Sequence, residues 1–307
     1  MKNHYKSCRL CPRNCGVNRL AGEKGFCGES AALRTGAAVI HFGEEPPLVG
    51  KGGSGTIFIS GCNLGCAFCQ NHQISQAKAD SPALGREVNA EEFAKICAAL
   101  RDKGAENINI VTGSHAIPAL AEGLTAARNA GVQLPVLWNS SAYENTEALE
   151  LLSEHVDIYL PDMKTMDSEI AARYFSAPDY PAAAERSIKK MIETAGKPEK
   201  VIIRHLILPG HLDSTRSVLR WFSKNAAGRA LLSLMTQYTP IPNRERQMPN
   251  GYLSREEYET VLYWLKEFKI EDGFCQELVT GSDWLPDFRR PNPFSSQLSV
   301  PIWHWKK

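Results

Sequence analysis

The chain has 307 residues, 43% of them hydrophobic, with 35 Lys and Arg against 34 Asp and Glu for a net charge of +1. That is enough apolar material for one large domain of barrel size, and the balance excludes a general polyanion binder, so no specific nucleic-acid partner is expected. No apolar run is long enough to span a bilayer, and the N-terminus MKNHYKSCRLCPRNCG lacks a hydrophobic signal core, so the expectation is a cytoplasmic protein with no membrane partner.

Residues 1–48 hold four cysteines among hydrophilic residues and turn-formers such as Pro12, Gly16 and Gly22, and read as an N-terminal metal-binding segment with little core of its own. Beyond it, short β-branched and aromatic runs alternate with helical patterns. Strands are predicted at 55–61, 107–113, 135–141, 156–162, 200–208 and 230–238. Helices are predicted at 90–103, 116–131, 145–154, 181–195, 214–226 and 254–268, the last opening on the capping-box pair Ser254 and Glu257. Strand–helix alternation implies a parallel sheet with right-handed crossovers. The fold class is therefore α/β, a partial (β/α)6 TIM-like barrel over 49–270, with a doubly wound sheet as the alternative. Residues 271–307, rich in Pro and aromatics, read as a tail packing on the barrel. In either fold the chemistry gathers at the C-terminal ends of the strands.

Disulfides rarely persist in a reducing cytosol, so nine cysteines need another account. Seven lie within the first seventy residues in two tight groups, a skew that favours metal ligation. Cys97 and Cys275 stand alone and read as packed thiols. The second group, Cys62-x3-Cys66-x2-Cys69, directly follows the first predicted strand. Three thiolates can hold three irons of a cubane and leave the fourth iron open for a ligand, whereas most such clusters take four cysteines. Phe68 would shield the cluster. A zinc site completed by His72 is the competing reading. The first group, Cys8, Cys11, Cys15 and Cys27, offers four thiolates, which suit a structural zinc and an auxiliary iron–sulfur cluster equally.

The run Cys62-Asn-Leu-Gly-Cys66-Ala-Phe68-Cys69 resembles the signature of the radical S-adenosylmethionine superfamily in spacing, in its aromatic residue and in its placement. Asp162-Met163-Lys164 resembles the Asp-x-Lys segment of glycyl-radical-enzyme activases. The succession CRLCPRNCGVNR, SGCNLGCAFCQN, YLPDMKTMD, RHLILPG and SLMTQYTP is similar to a pyruvate formate-lyase activating enzyme-like subgroup over nearly the whole chain. The resemblance implies a 4Fe–4S cluster on Cys62, Cys66 and Cys69 that chelates S-adenosylmethionine and cleaves it to a 5′-deoxyadenosyl radical. It also implies an electron donor such as flavodoxin or ferredoxin, and a glycyl radical enzyme as the activated partner. One departure stands out: the superfamily's Gly-Gly-Glu, which holds the cofactor's amino group, is replaced by Thr112-Gly113-Ser114, and Glu106 lies at the wrong end of that strand. Thr112, Ser114 and Asn139 are the expected substitutes.

Other cofactor-binding candidates are Ser140, beside Asn139 at a polar strand end, and Asp162 with Lys164, whose two-residue spacing puts both on one side of a strand. Arg204 and His205 alternate, so at most one faces the interior; His205 is the cofactor-binding candidate. The alternatives to an activase are a radical enzyme acting on a small molecule, peptide or nucleic acid, and a non-catalytic electron-transfer or docking module. A hydrolase is not indicated, since neither Gly-x-Ser-x-Gly nor His-Glu-x-x-His occurs.

Overall fold

The computed structural model describes residues 2–75, 83–241, 248–249, 251–279, 281 and 285–307; residues 280 and 282–284 of the expected tail lie outside the described residues. After two short 3-10 turns (Lys2–Tyr5 and Arg19–Ala21) comes a strand the sequence patterning did not reveal, β1 (Leu33–His41), then one helical turn, α1 (Pro46–Val49). Next come β2 (Ser54–Ile59), α2 (His72–Ser75), β3 (Arg86–Val88) and α3 (Ala90–Asp102). β4 (Ile108–Val111), α4 (Ile117–Asn129), β5 (Val136–Ser140), α5 (Thr146–Glu150) and β6 (Ile158–Pro161) follow in alternation. Two helices, α6 (Ser168–Phe175) and α7 (Tyr180–Ala195), precede β7 (Ile202–Leu206) and α8 (Leu212–Asn225). β8 (Leu231–Met235), α9 (Arg255–Glu267), β9 (Gly273–Cys275) and β10 (Ser299–His304) complete the order.

Local chemistry sets these boundaries. The Asn89 side chain accepts the Glu92 N–H at 2.8 Å and starts α3. Ser254 and Glu257 cap α9 reciprocally, as the sequence pattern predicts. Gly196, in the left-handed region, stops α7. Strand β2 is buried along its whole length, as expected of a parallel strand covered on both faces.

β2, β4, β5 and β6 pair in parallel, and so do β7, β8 and β9. The two sheets meet at the parallel bridges Tyr159–Val201 and Asp162–Arg204. The parallel wall is thus continuous through the six predicted strands, with helices on its outside, and the partial (β/α)6 barrel is the fold. β9 adds a short seventh strand.

On the opposite edge β1 runs antiparallel to β2, with β10 and β3 paired to β1. This covers what would otherwise be an open edge. It also fixes a direction. His41, at the end of β1, pairs with Ser54 at the start of β2, so residues 42–45 meet the barrel at the N-terminal ends of its strands, opposite the expected mouth.

The C-terminal residues contribute to packing. Phe288 is fully buried and meets Phe58 of β2 edge-on with ring centroids 5.2 Å apart. Ala37, Val39 and Ile74 join the same apolar group. Phe288→Ala should therefore cost about 3–5 kcal/mol of stability, read as a lower urea midpoint at unchanged slope; a midpoint equal to the parent's would show that this contact does not hold the tail.

Candidate active site in the barrel interior

A cavity of about 510 Å³ occupies the barrel interior, within the range of about 300–1,000 Å³ usual for small-molecule sites. Cys62, Cys66 and Cys69 line it at the C-terminal end of β2. The loop that carries them leaves β2 through Gly61, whose φ is +85° and where a Cβ would lie 2.4 Å from Glu29 Cγ, so glycine is required there. The loop is pinned by its backbone: Gly65 N–H donates to the Phe175 carbonyl at 3.1 Å and Ala67 N–H to the Tyr174 carbonyl at 2.8 Å, both in α6. The Asn63 amide donates to the Tyr143 carbonyl at 2.6 Å. Phe68 stands in an aromatic group with Phe175 and Tyr238, each 5.7 Å away, and Tyr174 at 6.2 Å.

Burial pushes the Cys66 thiol up to about 12 and the Cys62 thiol higher still, and the neighbouring cysteines add to the rise at both, while the Lys164 ammonium works against it at Cys66. Three thiolates gathered on one short loop, with Cys62 buried and Cys66 and Cys69 half-buried, need a strongly cationic partner. Iron supplies that charge, so the donor set fits an iron–sulfur cluster. Zinc accepts the same thiolates, but three closely spaced cysteines, where most clusters take four, are what would leave one iron of a cubane open for a ligand.

The wall opposite the thiols is polar. Lys164 Nζ donates to Asp162 Oδ2 at 2.6 Å, as the two-residue spacing predicts. Arg204 Nε donates to Asp162 Oδ1 at 3.0 Å and its Nη2 to Asn139 Oδ1 at 2.6 Å. Burial alone would raise Asp162, but the Arg204 and Lys164 charges outweigh it and hold the carboxyl below its ordinary value. Thr112 and Ser140 line the same cavity.

Two candidates do not. His205 is fully buried and faces outward: its Nδ1 donates to the Met163 carbonyl at 2.7 Å, and its Nε2 accepts from the Thr215 hydroxyl of α8 at 3.0 Å. Strand alternation gives the interior face to Arg204 instead. Ser114 is also buried, and its hydroxyl donates to Glu144 Oε1 at 2.6 Å. Neither lines the cavity. The opposite end carries residues that the motifs did not suggest: Glu44, Glu45 and His41. Glu44 Oε1 lies 3.4 Å from Arg204 Nη1, and its Oε2 accepts from Asn109 at 2.6 Å.

The four N-terminal cysteines, Cys8, Cys11, Cys15 and Cys27, line a second, small cavity together with Asn63, the residue after Cys62. Arg13 joins the two regions, donating from Nε to the Asn63 carbonyl at 3.0 Å and from Nη1 to the Ser176 carbonyl at 2.6 Å.

The fold and the three-thiol loop define a class, and the comparisons agree with it. The profile of the Radical SAM superfamily matches residues 56–222, and the chain belongs to that family. Membership implies a 4Fe–4S cluster and S-adenosylmethionine. The uncharacterized protein MJ0674 of Methanocaldococcus jannaschii is 35% identical over 275 residues, 88% of this chain and 77% of the relative. The pyruvate formate-lyase-activating enzyme of Clostridium pasteurianum is 25% identical over 225 residues, 71% of this chain and 89% of the relative. Among solved structures, a radical SAM methyltransferase from Sphaerobacter thermophilus aligns with a TM-score of 0.53 at 15% identity, over 73% of this chain and 66% of that one. Streptococcus suis SuiB aligns with a TM-score of 0.52 at 14% identity, over 70% of this chain, which spans about half (47%) of SuiB. These structures share the fold. Among the described residues no helix is long and apolar enough to cross a membrane.

The fate of Ser114 yields a pH prediction. Glu144 is buried, and desolvation raises its carboxyl above the ordinary value despite hydrogen bonds from Ser114 and Ser187. A raised folded-state value means that this group's contribution to stability is present at low pH and lost as pH rises through that value. The stability of Glu144→Gln relative to the parent should therefore improve between pH 5 and pH 8. Urea titrations at both pH values check this; a difference that does not move with pH would mean the carboxylate is ionised throughout.

Proposed function

We propose that Cys62, Cys66 and Cys69 hold the 4Fe–4S cluster, that S-adenosylmethionine binds beside it in the barrel, and that the end use is activation of a glycyl radical enzyme. The observation that carries the reading is the lining of one cavity by the three thiols together with the Asp162–Lys164 pair. When bound, the cluster supplies the electron that splits the sulfonium and releases a 5′-deoxyadenosyl radical. The chain's own residues bind, orient and shield. Asp162, Asn139, Ser140 and Thr112 offer donors and acceptors for the cofactor's amino, carboxylate and ribose groups. The Lys164 ammonium offsets negative charge beside Cys66. Phe68 and its aromatic neighbours keep water from the thiolates.

The activase role is supported by the 25% identical activating enzyme and by the Asp162-Met163-Lys164 run. The reach of the cavity from the thiols to Glu44 and Glu45 favours a second reading, in which a small molecule or side chain enters the barrel. Cys8, Cys11, Cys15 and Cys27 are proposed to hold a second centre, zinc or an iron–sulfur cluster, and the electron donor is proposed to be a flavodoxin or ferredoxin.

Anaerobic reconstitution with iron and sulfide, reduction by dithionite and addition of S-adenosylmethionine should yield 5′-deoxyadenosine. Cys66→Ala should abolish it, and equal yields from both proteins would sink the reading. Lys164→Met should raise the cofactor concentration for half-maximal cleavage by about tenfold or more, the loss expected for a charge-assisted contact; an unchanged value would place Lys164 outside the cofactor site. Metal analysis of Cys11→Ser with Cys27→Ser should show loss of the second centre with the four irons of the first retained. Retention of all bound metal by that variant would refute the second centre.

A further inference from the structure

The cavity has two chemically different ends. At the mouth stand the thiols, Asp162 and Lys164; at the floor, reached from the loop after β1, stand Glu44 and Glu45. Glu45 is only 7% exposed. Its Oε1 lies 3.9 Å from Arg204 Nε, too far for a hydrogen bond. Its Oε2 is buried with no hydrogen-bond partner among the described residues. The Oδ1 of the fully buried Asn109, the residue that binds Glu44, likewise has no partner among them, nor does His41 Nδ1. Two acceptor-capable atoms of cavity-lining residues, on Glu45 and His41, thus stand unmatched at one end, with Asn109 behind Glu44.

Arg204 does not balance this end. Its nitrogens already face Asp162, Asn139 and Glu44. Among the described residues that line the cavity, three carboxylates, those of Glu44, Glu45 and Asp162, face two cations, Arg204 and Lys164. Burying an unmatched carboxylate is costly. The arrangement therefore asks for one more positive charge that carries N–H donors. Between floor and mouth the lining includes the apolar side chains of Phe58, Val111, Leu206 and Leu234.

We propose that the floor formed by Glu44 and Glu45 recognises the cationic end of the substrate, an alkylammonium or alkylguanidinium group, whose apolar stem runs up the barrel toward the radical site; this rests on reading the mouth as that site. Burial, the neighbouring Glu44 charge and a hydrogen bond with the Glu44 carboxyl push the Glu45 carboxyl well above its ordinary value, against the pull of Arg204. A bound ammonium or guanidinium would stabilise the ionised pair and donate to the free Glu45 oxygen. Either a free amine or a lysine or arginine side chain of a polypeptide carries this chemistry.

Calorimetry on the reconstituted protein tests the proposal with n-butylguanidinium and n-pentylammonium as probes. Both cations should bind at least tenfold more tightly than the neutral isostere n-butylurea and the anion hexanoate. Glu45→Gln should remove that preference and leave butylurea binding as it was. Butylurea or hexanoate binding as tightly as the cations in the parent protein would overturn the proposal without recourse to any variant. Displacement of the probes by equimolar potassium would also overturn it, assigning the floor to an inorganic ion. A capped Gly-Arg-Gly peptide separates the sources: tighter binding than butylguanidinium supports a polypeptide substrate, weaker binding a small molecule. 5′-Deoxyadenosine formation is measured on the same preparation. Cleavage without cation preference overturns the floor assignment alone, whereas cation preference without cleavage supports it and overturns the radical reading.

Discussion

A buried guanidinium closes the seam of the barrel. β6 and β7 meet at two isolated bridges, one of which pairs Asp162 with Arg204. The side chains of that pair reinforce it, and Arg204 reaches on to Asn139 of β5 and to Glu44 of the loop after β1. One side chain thereby ties together three successive parts of the wall and the loop after β1. The desolvation of Arg204 is offset only because its oxygen partners are already in place, and removing one partner of a buried pair typically costs about 3–5 kcal/mol. The same contacts set the position of Asp162, which in turn holds Lys164 toward Cys66. The group that completes the fold is thus the group that orients the polar wall of the cavity.

The thiol loop depends on a second set of ties. A short glycine-containing loop has little packing of its own, so its geometry is borrowed from α6 on one side and from the N-terminal segment on the other. Arg13 spans both, and its guanidinium also lies 3.7 Å from the Phe26 ring centroid. The four N-terminal cysteines surround the small cavity beside Asn63. A metal that ordered that segment would stiffen the loop one residue from Cys62. Such a metal, zinc or iron, would give the second cysteine group a structural role.

What could be read from the sequence follows from the range of the signal. The six parallel strands were legible because both faces of each are covered, which leaves β-branched runs between turns. β1 was missed: its LRTGAAVIH is short of bulky residues and lies within residues 1–48, after the N-terminal cysteines. β10 carries Pro301 and pairs with a strand more than 250 residues earlier. Continuous burial also erases the polar–apolar alternation that would tell which residue of a strand faces inward, and so Arg204 rather than His205 occupies the interior. Glu44 meets Arg204 across 160 residues, a contact to which no local pattern points. The cysteine spacing was fully legible because the loop is local and its chemistry depends on consecutive ligands.

This difference in range separates shared chemistry from specificity. The superfamily match spans residues 56–222, which takes in the thiol loop, Asn139, Asp162, Lys164 and Arg204. Glu44 and Glu45 precede it, and Phe274, Cys275 and Gln276, which also line the cavity, follow it. The mouth is therefore built from the common barrel, while the floor and one flank come from segments added before and after it. A reaction initiated at a conserved type of mouth can be directed to different substrates by changing those added segments, because they meet the far end of the ligand and leave the wall around the cofactor intact. In this chain the added segment at the floor brings two buried carboxylates to a site where the barrel supplies one arginine already in use, and that imbalance of charge decides which kind of ligand end the barrel accepts.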